Sequence, residues 1–198
     1  RARIVSADRV SNPGCYSSTF ILLLRPLIDA GLMPTNVPIS IHALSGYSGG
    51  GKSMIERWEN PENGLANIPY EAPYALERVH KHIPEMQQYT GLTVQPQFLP
   101  AVGSFHSGMR VQVPLHDSIF SNKHDGEEIW SVLDQRYRSE QFVHVAPFAD
   151  FGAVSEFSLD PTQFNGSNQL QIHVYPNPAG HILLVGLLDN LGKGASGV

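Results

Sequence analysis

The chain has 198 residues, of which 41% are hydrophobic and 16% charged, with a formal net charge of −5. This length and apolar content specify one globular domain, while the acidic balance excludes nucleic acid and anionic membranes as general partners. The charged share lies well under the roughly 25% usual for soluble domains, so some surface is expected to be covered by a partner domain or subunit.

In chain order, residues 1–14 end in the turn SNPG. Residues 15–32, CYSSTFILLLRPLIDAGL, space their apolar side chains for a buried helix closed by Gly31, with Pro26 late inside it. Residues 37–44 read as a strand leading into the loop GYSGGGKS, Gly46 to Ser53, and a short helix follows. The stretch NPENGLANIPYEAP is loop, and a helix starts at Pro84. Two strands follow, LTVQPQFLPAV and GMRVQVPLHDSIF, the second alternating Met109, Val111, Val113 and Leu115 on one face. GEEIWSVLDQRYRSE is an amphipathic helix, and QFVHVAPF, NQLQIHVYPN and GHILLVGLLDN are three further strands. The order predicts an α+β domain with a mixed, largely antiparallel sheet and helices on one face.

Cys15 is the sole cysteine, which rules out an intrachain disulfide and fits a reducing, cytoplasmic setting. No apolar run reaches the ~20 residues of a membrane span, and no signal peptide is visible. The chain opens at Arg1 and ends just after an apolar strand, so both ends read as cuts in a longer protein.

GYSGGGKS fits G-x-x-x-x-G-K-[ST], in which backbone N–H groups and a lysine hold nucleotide phosphates. A P-loop NTPase is therefore one reading. The strand-rich second half opposes it, because that loop belongs to a parallel sheet with helical crossovers. A second reading starts from Cys15. The turn Asn12-Pro13-Gly14 delivers it to a helix N-terminus, where the partial positive charge lowers a thiol pKa and favours a thiolate nucleophile. A buried structural cysteine is equally compatible. Gly14 permits close approach, and Asn12 can donate from its amide. Among nine histidines, His80 and His82 stand out in VHKHIPEM, with Glu85 positioned to orient a ring; two surface histidines would read the same way. No third ligand has useful spacing, so no metal is expected.

SNPGCY before an apolar helix, SGYSGGGK, HKHIPEM and LLDNLGKGASG occur in the order found in the N-acetyl-γ-glutamyl-phosphate reductases, in the shorter of that family's sequence types. The resemblance runs from about Ser11 to Gly197. The family is related to aspartate-semialdehyde dehydrogenase and, in architecture, to the C-terminal domain of glyceraldehyde-3-phosphate dehydrogenase.

The resemblance implies that residues 1–198 are a catalytic, substrate-binding and dimerisation domain. Cys15 would attack the acyl phosphate of N-acetyl-γ-glutamyl phosphate, expel phosphate and form a thioester, which NADPH reduces to N-acetylglutamate semialdehyde in arginine biosynthesis. His82 would be the acid/base, with His80 beside the substrate. The N–H groups of Gly46 and Gly49, the hydroxyls of Ser45 and Ser48, Asn12, Lys52 and Arg110 would hold the substrate's anionic groups. Asn190, Gly192 and Gly194 would lie at the nicotinamide. Partners would be the small acyl phosphate and further copies of the chain, as a dimer or tetramer.

Ser17 and Ser18 replace the proline and threonine of many members. No G-x-G-x-x-G fingerprint follows a first strand, so the nucleotide-binding domain is expected to precede Arg1 and a closing helix to follow Val198. A non-catalytic oligomerisation domain is the third reading.

Overall fold

The computed structural model describes residues 2–148 and 156–193. In chain order these form α1 (Ala2–Val5), α2 (Cys15–Asp29), β1 (Ser40–Gly46), α3 (Lys52–Glu59), β2 (Ala72–Pro73), α4 (Ile83–Thr90), β3 (Gln97–Gly103), β4 (Met109–Leu115), α5 (Gly126–Tyr137), β5 (Val143–Val145), β6 (Leu170–Pro176) and β7 (Ile182–Leu188).

Helix α2 follows from its spacing. Phe20, Leu23, Leu24 and Leu27 fall on one face and are wholly buried. Gly31 closes it at φ 74°: its N–H donates to Ile28 O and the N–H of Leu32 to Leu27 O, each at 3.0 Å. Pro26 has no N–H to give the carbonyl four residues back. The Tyr137 hydroxyl of α5 donates to that carbonyl, Leu22 O, at 2.8 Å, so the helix continues without an orphaned acceptor.

The strands form one mixed sheet in the order β2-β3-β1-β4-β7-β6-β5. Pairs β1/β3 and β5/β6 are parallel and the other four antiparallel. The α+β, largely antiparallel expectation holds. The alternation along β4 is realised: Met109, Val111, Val113 and Leu115 all point into the core. Helices α2, α4 and α5 cover that face, with α2 lying on β4 and β7. Gly186 of β7 permits the contact, because a Cβ there would sit 2.4 Å from the Thr19 methyl. Helix α3 departs from the expected layer. It packs beyond the end of β1, against the turns at Tyr47–Gly50 and Leu65–Asn67.

The sheet has two distinct ends. The glycine loop after β1, the start of β4 and the end of β7 meet at one, where Met109 pairs with both Ser45 and Leu188. At the other, Leu115 pairs with Ile182. Among the described residues, no helix is long and apolar enough to cross a membrane.

Candidate active site

The first residue of α2 is Cys15, and Gly14 is its N-cap in extended backbone with no side chain to cap the helix. Glu85, from the first turn of α4, supplies the missing acceptor. Its Oε2 takes the Gly14 N–H at 3.0 Å and the Ser17 hydroxyl proton as well. One carboxylate thus joins the start of α2 to the start of α4. The sequence suggested that Glu85 orients a histidine ring; it orients the cysteine's helix instead. The free N–H groups of a helix start are strong partners for a carboxylate, and Ser17 is one turn inside.

His82 is the N-cap of α4. Its ring rests on Gly14, where a Cβ would lie 1.9 Å from Nε2. The imidazole therefore reaches the residue next to the thiol because that residue is glycine. His82 Nδ1 is buried with no hydrogen-bond partner. The ring thus lies against Gly14, one residue from the thiol, with one nitrogen unpaired. His80 packs edge-on to it with ring centroids 4.7 Å apart, and His80 Nδ1 accepts the His82 N–H at 3.1 Å. The two histidines come together through a turn.

Sequence reasoning missed the two tyrosines that wall this cluster. Tyr16 contacts both histidine rings and Phe98, and the Tyr74 hydroxyl donates to the Tyr16 hydroxyl at 3.1 Å. Tyr16 adjoins Cys15 and was available to inspection; Tyr74 arrives from the end of β2, which no local pattern marks.

The charge states also correct an expectation. Burial pushes the Cys15 thiol up to about 11, although the N–H groups of Tyr16 and Cys15 and the Lys81 charge pull the other way. Desolvation in a site only 8% exposed outweighs the helix terminus. Burial likewise pulls His82 down to about 4, helped by His80 and Lys81 against Glu85. Partial burial raises the Glu85 carboxyl, but the Ser17 and Gly14 hydrogen bonds, with the charges of His82 and Lys81, hold it below its ordinary value. At neutral pH the site contains a neutral thiol, a neutral imidazole and a carboxylate.

The glycine loop is not a phosphate cradle as folded. The N–H groups of Gly46, Tyr47 and Ser48 donate to the carbonyls of Gly108, Phe105 and His106 at 2.9, 3.0 and 3.0 Å. Ser45 Oγ donates to Gly46 O at 2.9 Å, and Ser48 Oγ accepts from Asn190 Nδ2 at 3.1 Å. A Cβ on Gly49 would stand 3.1 Å from Ser45 Oγ. Lys52 is 90% exposed at its side chain and reaches Glu56 at 3.7 Å, one turn along α3. The P-loop reading fails on two counts: the N–H groups of Gly46, Tyr47, Ser48 and Gly51 are taken by carbonyls of the chain itself, and the lysine faces outward. For the same reasons Ser45, Gly46, Ser48 and Lys52 do not form the anion pocket expected of them. Asn12 lies exposed in the segment before the helix.

Asn190 is fully buried and clasps this loop to the 103–108 turn, its Oδ1 accepting the Gly108 N–H at 2.8 Å. A nicotinamide contact by this side chain would require the clasp to open. Gly192 is a close backbone approach, since a Cβ there would lie 1.9 Å from Ser167 O. Gly194 lies outside the described residues. Asn190→Ala is expected to leave the Gly108 N–H buried and unpaired, at a cost of about 1–3 kcal/mol. Urea denaturation measures it, and an unchanged midpoint would show that the clasp is dispensable.

Arg110 is not gathered with Cys15. It alternates with Met109 and Val111 and so projects to the opposite face of the sheet. There its Nη1 donates to Leu159 O at 3.0 Å, beside a cleft of about 340 Å³ that also includes Glu71 and Arg78.

The family model described as semialdehyde dehydrogenase, dimerisation domain, matches residues 15–190. The chain is 45% identical over 196 residues to N-acetyl-gamma-glutamyl-phosphate reductase 2 of Pseudomonas putida, covering 98% of this chain and 61% of that protein. It is 46% identical over 203 residues to the protein of the same name from a Nostoc species, covering 100% of this chain and 63% of that one. The chain thus spans about three fifths of the length of the curated relatives it matches. In fold it is similar to aspartate semialdehyde dehydrogenase II of Vibrio cholerae, with a TM-score of 0.66 at 18% identity over 99% of this chain and 61% of that one. A probable aspartate-semialdehyde dehydrogenase of Pseudomonas aeruginosa aligns with a TM-score of 0.66 at 18% identity, over 98% of this chain and 62% of that one. With the matched segment running from Cys15 to Asn190, the chain belongs to the semialdehyde dehydrogenase family.

Proposed function

We propose that residues 1–198 are the catalytic and substrate-binding domain of an N-acetyl-γ-glutamyl-phosphate reductase acting in arginine biosynthesis. The observation that carries this reading is that the Glu85 carboxylate and the His82 ring both close on Gly14, the residue before Cys15, at the start of α2, with Gly14 kept bare so that the imidazole fits. The names of the relatives supply the substrate.

The first half-reaction follows from these residues. Cys15 Sγ attacks the acyl carbon, the S–C bond forms, and the bond from that carbon to the phosphate oxygen breaks. His82 takes the thiol proton and passes it to the departing phosphate. Both groups rest neutral, so the proton leaves with the attack, not before it. Glu85 holds the helix start and leaves the thiol free. Covalent capture converts an acyl phosphate into a thioester suited to reduction. His80 and Tyr16 pack on His82 and fix its ring.

NADPH supplies the hydride for the second half-reaction. The residues described do not form a seat for its pyrophosphate: the one glycine-rich loop has spent three consecutive N–H groups on neighbouring carbonyls, and the sheet is not the doubly wound kind. We place the dinucleotide on the part of the protein that this chain does not span. The chemistry asks for no metal, and a cytoplasmic setting suits it. Self-association, as a dimer or tetramer, is supported by the family description and by the sheet face opposite the helices, where Leu44, Leu99 and Leu183 are only half-buried. A purely structural oligomerisation domain would have no use for a buried imidazole nitrogen without a partner.

The full-length protein mixed with the acyl phosphate, without NADPH, is expected to gain the mass of one N-acetylglutamyl group. Cys15→Ser should abolish that thioester, and His82→Ala should slow its formation by about 10²–10⁴-fold. An unmodified Cys15 in a folded full-length protein would overturn the assignment.

A further inference from the structure

The end of the sheet remote from Cys15 carries a second cluster. Leu115, the last residue of β4, pairs with Ile182, the first of β7. One step outward on each strand stands a histidine. His116 and His181 face each other across the strand pair, ring centroids 4.1 Å apart and inclined by 34°. Asp117 lies between them, its Oδ1 2.7 Å from His116 Nδ1 and 3.5 Å from His181 Nδ1.

The backbone has prepared the two rings. The N–H of Ser118 donates to His116 Nδ1 at 3.2 Å, and the N–H of Asp117 to His181 Nδ1 at 3.1 Å. His116 Nδ1 also lies 2.8 Å from Ser118 Oγ, so both rings turn their Nδ1 toward the turn that carries Asp117. His181 is itself fixed, because its N–H and that of Ala179 both donate to Asn177 Oδ1 in the β6–β7 hairpin.

We propose that His116, Asp117 and His181 form a binding site for a divalent transition-metal ion of the zinc, cobalt or nickel class, separate from the active site. One ligand atom from each residue lies within 4.8 Å of the others. A cation with ligands at about 2.0–2.2 Å holds neighbouring donors roughly 3–3.5 Å apart, so side-chain rotation alone closes the site. Two imidazole nitrogens and one carboxylate oxygen select these metals over calcium and magnesium, which take oxygen ligands. The side chains are 62%, 52% and 37% exposed for His116, Asp117 and His181, which leaves the remaining positions to water. When the metal takes the Nδ1 lone pairs, the two long backbone N–H contacts pass to solvent at this exposed edge. The ion then clips the turn after β4 to the β6–β7 hairpin. The site escaped the sequence because its ligands come from two strand ends, with Asp117 and His181 64 positions apart.

Untagged chain, stripped with chelator, is titrated with zinc chloride by calorimetry and with cobalt chloride by visible absorption. One equivalent should bind, with weaker binding at lower pH because the imidazoles must be neutral. Metal at a hundredfold excess over Kd should raise Tm by about 5–10 °C. His116→Ala and His181→Ala should each weaken binding at least tenfold, whereas His144→Ala and Cys15→Ser should not. No binding by the parent chain, or binding that survives both His116→Ala and His181→Ala, would overturn the proposal.

Discussion

Cys15 in this chain is expected to resist iodoacetamide at neutral pH and to become reactive only as the pH approaches 11. The thiol sits at a helix start, a place that favours thiolates, yet it is 8% exposed and its pKa is raised to about 11. The half-charge of a helix terminus contributes at most a couple of kcal/mol, while burying an anion costs several. At pH 7 the thiolate fraction is then about 10⁻⁴, and the alkylation rate should climb about tenfold per pH unit before levelling near pH 11. His82→Ala should leave that profile nearly in place, because an imidazole with a pKa of about 4 carries no charge at neutral pH to stabilise the thiolate. A rate that plateaus below pH 8.5 would show that the helix terminus prevails over burial. Under the proposed function, substrate in the full-length protein should bring the reactivity out, since the proton leaves only as the acyl carbon is attacked.

Gly14→Ala should do more damage than its size suggests. The Gly14 backbone, at φ −63° and ψ 158°, is ordinary for any residue, so no conformational strain arises. The whole effect is steric. The new methyl would lie 1.9 Å from His82 Nε2, 2.3 Å from Cε1 and 2.4 Å from Cδ2. The ring must leave, at a cost of about 1–3 kcal/mol for the overpacked site. Acylation of Cys15 in the full-length protein should fall by about 10²–10⁴-fold, the usual worth of a positioned acid/base. The double variant Gly14→Ala with His82→Ala should regain much of the lost stability, because the methyl then occupies vacated space, but none of the rate. Urea midpoints for the four proteins give the coupling directly. If Gly14→Ala keeps parental stability and parental acylation, the His82 ring does not rest where the structure places it.

The chain's local patterns determined much of the architecture. Helix α2 was legible because Phe20, Leu23, Leu24 and Leu27 recur at helical spacing and Gly31 stops them. Strand β4 was legible because its apolar residues alternate. Both signals depend on neighbours a few positions apart, and short-range periodicity is what a linear sequence records. The ordered motifs around Cys15, Gly46, His82 and Asn190 pointed to a family for the same reason.

What the glycine loop does, how the thiol is charged and what Glu85 holds were decided only in three dimensions. GYSGGGKS reads identically whether its N–H groups are free or taken. The carbonyls that take them come from residues 105–108, over fifty positions away. Glu85 meets Ser17 across 68 positions and Gly14 across 71. The thiol pKa departs from its helix-terminus expectation because tertiary packing excludes water from Cys15, and desolvation is a property of the enclosing surface. Periodicity selects which face is buried; only the closed fold determines which polar atoms meet there and how much water is left to them.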